Sequence, residues 1–216
     1  MIKKMREPVS GLTHLLGVVL SILGLIILIH NSIVLSKPYY VPGFVIFGIS
    51  SILLYTASSV YHLLSVPEKI IKVLRRIDHS MIYVLIAGTY TPVCLFALKG
   101  TLGMTLFITI WTLAAVGIML KIFWFNAPRW LSTLFYVIMG WIAVIAIYPL
   151  WKTLSLGGIL WLVAGGLSYT VGAVIYATKR PRIASKFFGF HEIFHLFVLL
   201  GSFCHFWMMF KYVMFV

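Results

Sequence analysis

Seven long apolar runs constrain the fold of this chain more than any other feature of its sequence. Each is about 20 residues long or longer, and about 20 residues of helix cross the hydrocarbon core of a bilayer. The runs cover residues 13–35, 41–65, 78–98, 102–122, 130–149, 156–177 and 191–213. They are continuous, whereas the strands of a membrane barrel alternate polar and apolar residues. The sequence therefore predicts an all-α membrane protein, a seven-transmembrane helix bundle in one domain of residues 1–216.

The composition supports a membrane rather than a soluble class. Hydrophobic residues make up 62% of the chain and charged residues 10%, whereas about 25% of a soluble domain is charged. We therefore expect a multi-pass protein of the cell membrane. The net charge of +13 is spread over short connections without a nucleic-acid motif, so lipid headgroups are the expected charged partners and nucleic acid is not. The oligomeric state has no signature in the sequence.

The basic residues predict the orientation of the bundle. Thirteen of the 17 Lys and Arg residues lie at the N-terminus or in the connections after the second, fourth and sixth runs. The other side has Lys37, Lys99, Lys152 and Lys211. Cytoplasmic connections of membrane proteins carry an excess of Lys and Arg. We therefore expect the N-terminus in the cytoplasm and the C-terminus outside.

Histidines near the cytoplasmic ends of the runs form the first candidate site. The string "HEIFH" places His191 and His195 four residues apart, so both imidazoles lie on one helix face and can reach one metal ion. His62 ends the second run at a similar depth and is the natural third ligand. Zinc suits three imidazoles, and a catalytic zinc keeps its fourth position open.

Three other interpretations of these histidines stay open from the residues alone. The rings could be hydrogen-bonded to lipid headgroups, or packed in the core against backbone partners. "HEIFH" also has the H-E-x-x-H form in which a glutamate, here Glu192, is the general base of a metalloprotease. Nothing else typical of a soluble metalloprotease accompanies it, so this alternative ranks lower.

Asp78 and Ser58 are the candidate catalytic residues. Asp78 opens the third run, where an aspartate either caps a helix N-terminus or serves as a general base toward water activated by the metal. Ser58 lies one helical turn before His62 and could orient a ligand or stabilise an oxyanion. The alternative for Ser58 is a hydroxyl bonded back to its own helix.

Five segments carry a resemblance to a known family: "EPVSGLTHLLG", "SSVYHLL", "RRIDHSMIYVLIAGTYTP", "GGLSYTVGAVIYATKRP" and "FGFHEIFHLFVLLGS". In sequence and order they resemble the hemolysin III family, the bacterial branch of the progestin and adiponectin receptor group. That group and the alkaline ceramidases are classed together as proposed metal-dependent membrane hydrolases. The resemblance implies a zinc ion held by His62, His191 and His195, with Asp78 and Ser58 nearby.

The first of these segments also departs from the family pattern. Glu7, Thr13 and His14 fit the motif, but Ser10 stands where the family often has asparagine. His14 is not among the family's usual metal ligands. The sequence does not assign a role to Glu7, His14, His79 or His205.

Three functions follow as hypotheses. The first is a zinc-dependent hydrolase of a lipid amide or ester, with membrane lipids as substrate. The second is a non-catalytic receptor or regulator of membrane lipid state, in which zinc ties helices together. The third is a pore-forming cytolysin, which the family name suggests and which would need a continuous polar stripe through the membrane.

Overall fold

The computed structural model describes residues 5–124, 128–183, 185 and 188–216, and within these ranges the chain is helical without any strand. Seven helices of this part are long and apolar enough to cross a membrane. In chain order they are numbered spans 1 to 7: Pro8–Val34, Pro38–Leu63, Glu68–Leu98, Gly100–Phe123, Trp130–Thr153, Leu156–Thr178 and Phe190–Phe215. The predicted seven-helix bundle is confirmed. Three of the predicted cytoplasmic cations, Lys3, Lys4 and Lys186, lie outside the described residues.

Span 3 begins ten residues earlier than its apolar run. The sequence predicts a connection over 65–77, but the helix begins at Glu68, directly after Pro67. Glu68 pairs with Lys72 one turn later, at 3.8 Å, and such pairs support a helix. Asp78 therefore lies almost three turns inside a helix, so the helix-cap interpretation of Asp78 is wrong.

The packing of the spans explains which of them can hold a buried site. Span 1 packs against spans 2 and 7, span 3 against spans 2, 4 and 5, and span 6 against spans 5 and 7. In its most apolar stretch, span 3 has 67% of residues buried, whereas span 1 has 17%. Span 3 is thus enclosed by its neighbours, while span 1 lies at the lipid-facing edge with one face against spans 2 and 7.

Span 5 is interrupted in its middle. Its α-helices Arg129–Trp141 and Ile147–Thr153 are joined by the 3₁₀ turn Ile142–Ala146. Tyr90 of span 3 satisfies backbone groups at this break. Its hydroxyl accepts a hydrogen bond from the N–H of Ala143 and donates to the carbonyl of Gly140, each at 2.7 Å. A break in a membrane helix is tolerated where a neighbour supplies such partners.

The two ends of the bundle differ in chemistry. One end of the bundle contains the connection between spans 1 and 2, at Lys37, and the connection between spans 3 and 4, at Lys99. An apolar cluster at this end includes Tyr40, Phe44 and Phe96. Buried polar side chains gather at the opposite end, where spans 2 and 7 bring their histidines. A binding site is therefore expected at that second end.

Candidate metal centre

Three histidine rings meet where spans 2 and 7 reach the same end of the bundle. His62 lies in the last turn of the span 2 helix, while His191 and His195 occupy the first two turns of span 7. One ring nitrogen of each lies within 4.8 Å of the other two. His62 and His195 are each only 1% exposed. The structure therefore contains a group of three imidazoles that could hold one metal ion.

The spacing of the ring nitrogens suits a tetrahedral ion. Zinc–nitrogen bonds are about 2.0–2.1 Å long, so two nitrogens on one tetrahedral zinc lie about 3.3 Å apart. The Nε2 atoms of His62 and His191 are 3.3 Å apart. Three imidazoles are also a ligand set found in catalytic zinc sites. Donor type and spacing are thus compatible with zinc.

Two of these rings hydrogen-bond through Nδ1 to the start of span 1 and to the residue before it. Nδ1 of His62 donates to the carboxylate of Glu7, and Nδ1 of His195 donates to the backbone carbonyl of Ser10 at 3.2 Å. Such partners fix the ring orientation and leave Nε2 as the unprotonated nitrogen that can bind a metal. The hydrogen bond from His62 lowers the pKa of Glu7 against the opposing effect of partial burial, so Glu7 is a carboxylate at neutral pH.

Both carboxylate oxygens of Glu192 are hydrogen-bonded to groups other than the three rings. Its carboxylate accepts hydrogen bonds from the N–H of Gly189 at 2.8 Å and from the hydroxyl of Ser10 at 2.5 Å. The first bond caps the helix of span 7, and the second ties that helix to span 1. The metalloprotease interpretation of "HEIFH", which needs Glu192 as general base, is therefore not supported by this geometry.

His14 is a fourth buried histidine beside the group. Its ring lies parallel to that of His195, with 3.6 Å between the ring centroids and 10° between the planes. The ring of Tyr55 packs edge-on against the His14 ring, with 5.1 Å between the ring centroids. Among the described residues, neither ring nitrogen of His14 has a hydrogen-bond partner. His14 thus packs against the candidate ligand His195, and it does not belong to the group of three histidines whose nitrogens converge.

Asp78 and Ser58 are buried beside each other, near the three rings. The hydroxyl of Ser58 is close enough to the Asp78 carboxyl to act as its hydrogen-bond donor. Neighbouring serines on the same helix behave differently, since Ser51 and Ser59 each donate to the carbonyl four residues earlier, at 3.0 and 2.7 Å. The position of Ser58 therefore favours an interaction with Asp78 over a bond back to its own helix.

His79 faces span 6 rather than the three rings. Its Nδ1 bonds to the carbonyl of Arg75 at 2.7 Å, and its Nε2 bonds to the hydroxyl of Tyr176 at 3.0 Å. The carbonyl of His79 accepts a further hydrogen bond from Tyr136 of span 5 at 3.0 Å. His79 therefore connects span 3 to spans 5 and 6 beside the site.

A cavity of about 200 Å³ extends from this site into the bundle. Asp78, Ser58, His191 and His195 line one part of it, and apolar side chains of spans 3, 5, 6 and 7 line most of the rest. An apolar cavity that meets a few converging polar groups is the usual form of a small-molecule site. The arrangement can hold the hydrocarbon part of a ligand while its polar end lies at the histidines.

Sequence reasoning found part of this site and missed its supporting contacts. It singled out all five residues discussed as ligands or catalytic groups, and the structure brings them together: Ser58, His62, Asp78, His191 and His195. It left Glu7 and His14 unassigned and gave Ser10 no role. Glu7 and His14 carried a signal in the first motif, but a backbone carbonyl such as that of Ser10 has no signature in residue types.

Comparison with known proteins agrees with this architecture. The family model described as "Haemolysin-III related" matches residues 2–206. "Hemolysin-3 homolog" of Bacillus subtilis (strain 168) is 44% identical over 197 residues, which is 91% of this chain and 89% of that protein. "Hemolysin-3" of Bacillus cereus is 43% identical, covering 96% of this chain and 92% of that protein. "Monocyte to macrophage differentiation factor" of Homo sapiens is 26% identical, covering 78% and 69%.

The fold and the site together define a multi-pass membrane protein with a three-histidine group that could hold a metal ion. The family match extends over almost the whole chain, and two relatives exceed 40% identity. The chain belongs to the hemolysin III family. It is a protein of the cell membrane, as its bacterial relatives and its seven spans indicate.

Proposed function

We propose that this protein is a zinc-dependent hydrolase that cleaves an amide or ester bond of a membrane lipid. The observation that carries the proposal is that Asp78 and Ser58 line the same cavity as two of the three proposed ligands, His191 and His195. A purely structural metal needs no buried carboxylate beside it. A buried carboxyl is costly in a membrane span and indicates a function.

In this proposal each residue has a stated task. His62, His191 and His195 hold zinc, which when bound polarises a carbonyl and lowers the pKa of water toward neutrality. Asp78 takes a proton from the attacking water and later passes it to the leaving group. The Ser58 hydroxyl donates to the Asp78 carboxyl and orients it, and on substrate binding the same proton can turn to a developing oxyanion. The apolar cavity holds the hydrocarbon chain and keeps bulk water away.

The test compares metal content with turnover in purified protein. Asp78→Asn should retain about one zinc per chain and lose about 100-fold or more in turnover of a fluorescent long-chain N-acyl amide or ester, because positioned proton transfer contributes about 10²–10⁴. Ser58→Ala should slow turnover, whereas Ser59→Ala should not, because Ser59 bonds to its own helix. Unchanged turnover in Asp78→Asn would remove Asp78 from the mechanism.

One observation favours a second candidate, a non-catalytic receptor or regulator in which zinc ties helices together. The two ligand-bearing spans are already linked to span 1 through Glu7 and Ser10, so a bound ion would complete a three-span connection. Two results together would favour this candidate. The fourth coordination position would hold a protein ligand, and the zinc-loaded wild type would hydrolyse neither the fluorescent amide nor the fluorescent ester.

The third hypothesis, a pore-forming cytolysin, is suggested by the name "Hemolysin-3" of a relative. Most of the buried polar side chains of the described residues lie near one end of the bundle, and the cavity is mostly apolar. A water-filled pore needs a polar wall from one face of the membrane to the other. The geometry therefore supports a hydrolase better than a pore.

A further inference from the structure

His205 lines the cavity far from the three-histidine group and has no part in the proposed reaction. It lies on span 7, ten residues beyond His195. It is 6% exposed. In the part of the chain that the structure describes, its buried Nδ1 has no hydrogen-bond partner. An imidazole deep in a membrane bundle is costly unless something hydrogen-bonds to it.

The polar groups around His205 are already engaged. The ring of Tyr169 stacks on it, with centroids 5.5 Å apart, but the Tyr169 hydroxyl is bonded to Ser202 at 2.8 Å. Ser202 also accepts a hydrogen bond from Tyr55 at 2.6 Å. On span 6, the hydroxyl of Ser168 donates to the backbone carbonyl of Ala164 at 2.7 Å. These hydroxyls therefore do not hydrogen-bond to Nδ1 of His205, which leaves this nitrogen available to a bound ligand.

The chain also makes room for this ring. A Cβ atom at Gly165 would lie 2.6 Å from Nε2 of His205, a distance that real Cβ atoms do not reach. Gly165 thus lets the imidazole lie against span 6. Gly166 beside it lines the cavity and would have no atom within 4 Å of an added Cβ. The ring thus packs against span 6 and also lines the cavity.

We propose that His205 binds a hydroxyl group carried part-way along the hydrocarbon chain of the cavity ligand. The inference rests on the proposed function, because it takes that ligand to be a lipid with its reacting carbonyl at the histidine group. It narrows the substrate class to lipids with a mid-chain hydroxyl. Either ring nitrogen can pair with a hydroxyl, which both donates and accepts.

The helix sets the position of that hydroxyl. Ten residues at about 1.5 Å each separate His195 from His205 by about 15 Å along span 7. An extended hydrocarbon chain, with bonds of about 1.5 Å and near-tetrahedral angles, covers that distance in roughly 12 bonds. We therefore expect the hydroxyl at about carbon 12 or 13, with the reacting carbonyl carbon counted as the first.

The test measures binding, not turnover, in zinc-loaded full-length protein. Two probes are compared by displacement of a fluorescent fatty acid: stearic acid, and stearic acid with a hydroxyl on its twelfth carbon. Wild type should bind the hydroxylated acid about tenfold more tightly, the scale of one buried hydrogen bond. Equal affinity for the two acids, or binding of neither, would overturn the inference.

Variants locate the source of the preference. His205→Phe keeps a ring but cannot hydrogen-bond, so it should bind both acids equally, while His205→Gln should keep part of the preference. His30→Phe is the matched control, because His30 is exposed on span 1 and does not line the cavity. It should behave as wild type. A preference that persists in His205→Phe, or is lost in His30→Phe, would contradict the assignment.

The two proposals fail separately. If the protein prefers the hydroxylated acid but hydrolyses neither the fluorescent amide nor the fluorescent ester, the hydrolase proposal is refuted and the His205 site is kept. Turnover without any hydroxyl preference would refute the His205 site and keep the hydrolase.

Discussion

The three histidines depend on a small number of supporting contacts. Glu7 accepts from His62, and the Ser10 carbonyl accepts from His195. These contacts set which nitrogen of each ring faces the centre, and losing such an outer partner typically lowers metal affinity about 10–100-fold. Glu7 directly precedes span 1 and Ser10 lies in its first turn, so this short segment organises a site whose candidate ligands belong to spans 2 and 7.

Replacing Glu7 should therefore weaken metal binding without removing a ligand. Glu7→Gln keeps the shape of the side chain but loses the negative charge opposite His62. We expect zinc affinity to fall about 10–100-fold, the usual effect of losing such a partner, as measured by competition with a calibrated chelator. Glu68→Gln is the matched control, because Glu68 is largely exposed and pairs with Lys72. Equal affinity in the two variants would contradict the role given to Glu7.

Span 1 can support the site because small residues let it approach its neighbours. A Cβ atom at Gly17 would lie 2.8 Å from side-chain atoms of both Tyr55 and Leu199, which belong to spans 2 and 7. Close approach through small residues is a common way for membrane helices to pack. It brings the start of span 1 within reach of both ligand-bearing helices.

Adding one methyl group at Gly17 should separate these helices. Gly17→Ala forces Tyr55 or Leu199 to move, so we expect a loss of about 1–3 kcal/mol in the free energy of unfolding. Gly166→Ala is the control, because its added methyl would meet no atom within 4 Å. Denaturant titration of both variants in the same detergent provides the comparison. A Gly17→Ala protein as stable as Gly166→Ala would show that this contact does not limit packing.

At the level of elements, the apolar runs predicted the membrane helices but not their irregular parts. The helix of span 3 extends back to Glu68 because its basic first turns are still helix-forming, which hydropathy cannot reveal. The turn Ile142–Ala146 is as apolar as its surroundings, and Tyr90 stabilises it from another span. Of the neighbouring glycines 165 and 166, only Gly165 lies against a side chain of another span, the ring of His205. Tertiary contacts decide each of these features.

In the whole molecule, three distant parts of the sequence meet at one end of the bundle. They are the segment from Glu7 to His14, the segment from Ser58 to Asp78, and the helix turn from His191 to His195. The sequence predicted that the candidate ligands lie at one depth in the membrane, and the structure shows that they also meet in space. Matching depth could not predict the stacking of His14 or the direction of Glu192, which depend on helix rotation. The cytoplasmic location of this end, inferred from Lys and Arg, stays a prediction.

The central claim is that one metal ion is held by His62, His191 and His195. Anomalous diffraction at the zinc absorption edge, on crystals of protein purified without added metal, tests it most directly. We predict one peak per chain, about 2.0–2.1 Å from a nitrogen of each ring, which is absent in His195→Ala crystals. A map with no peak between the three rings, or with the zinc held by other residues, would contradict the account.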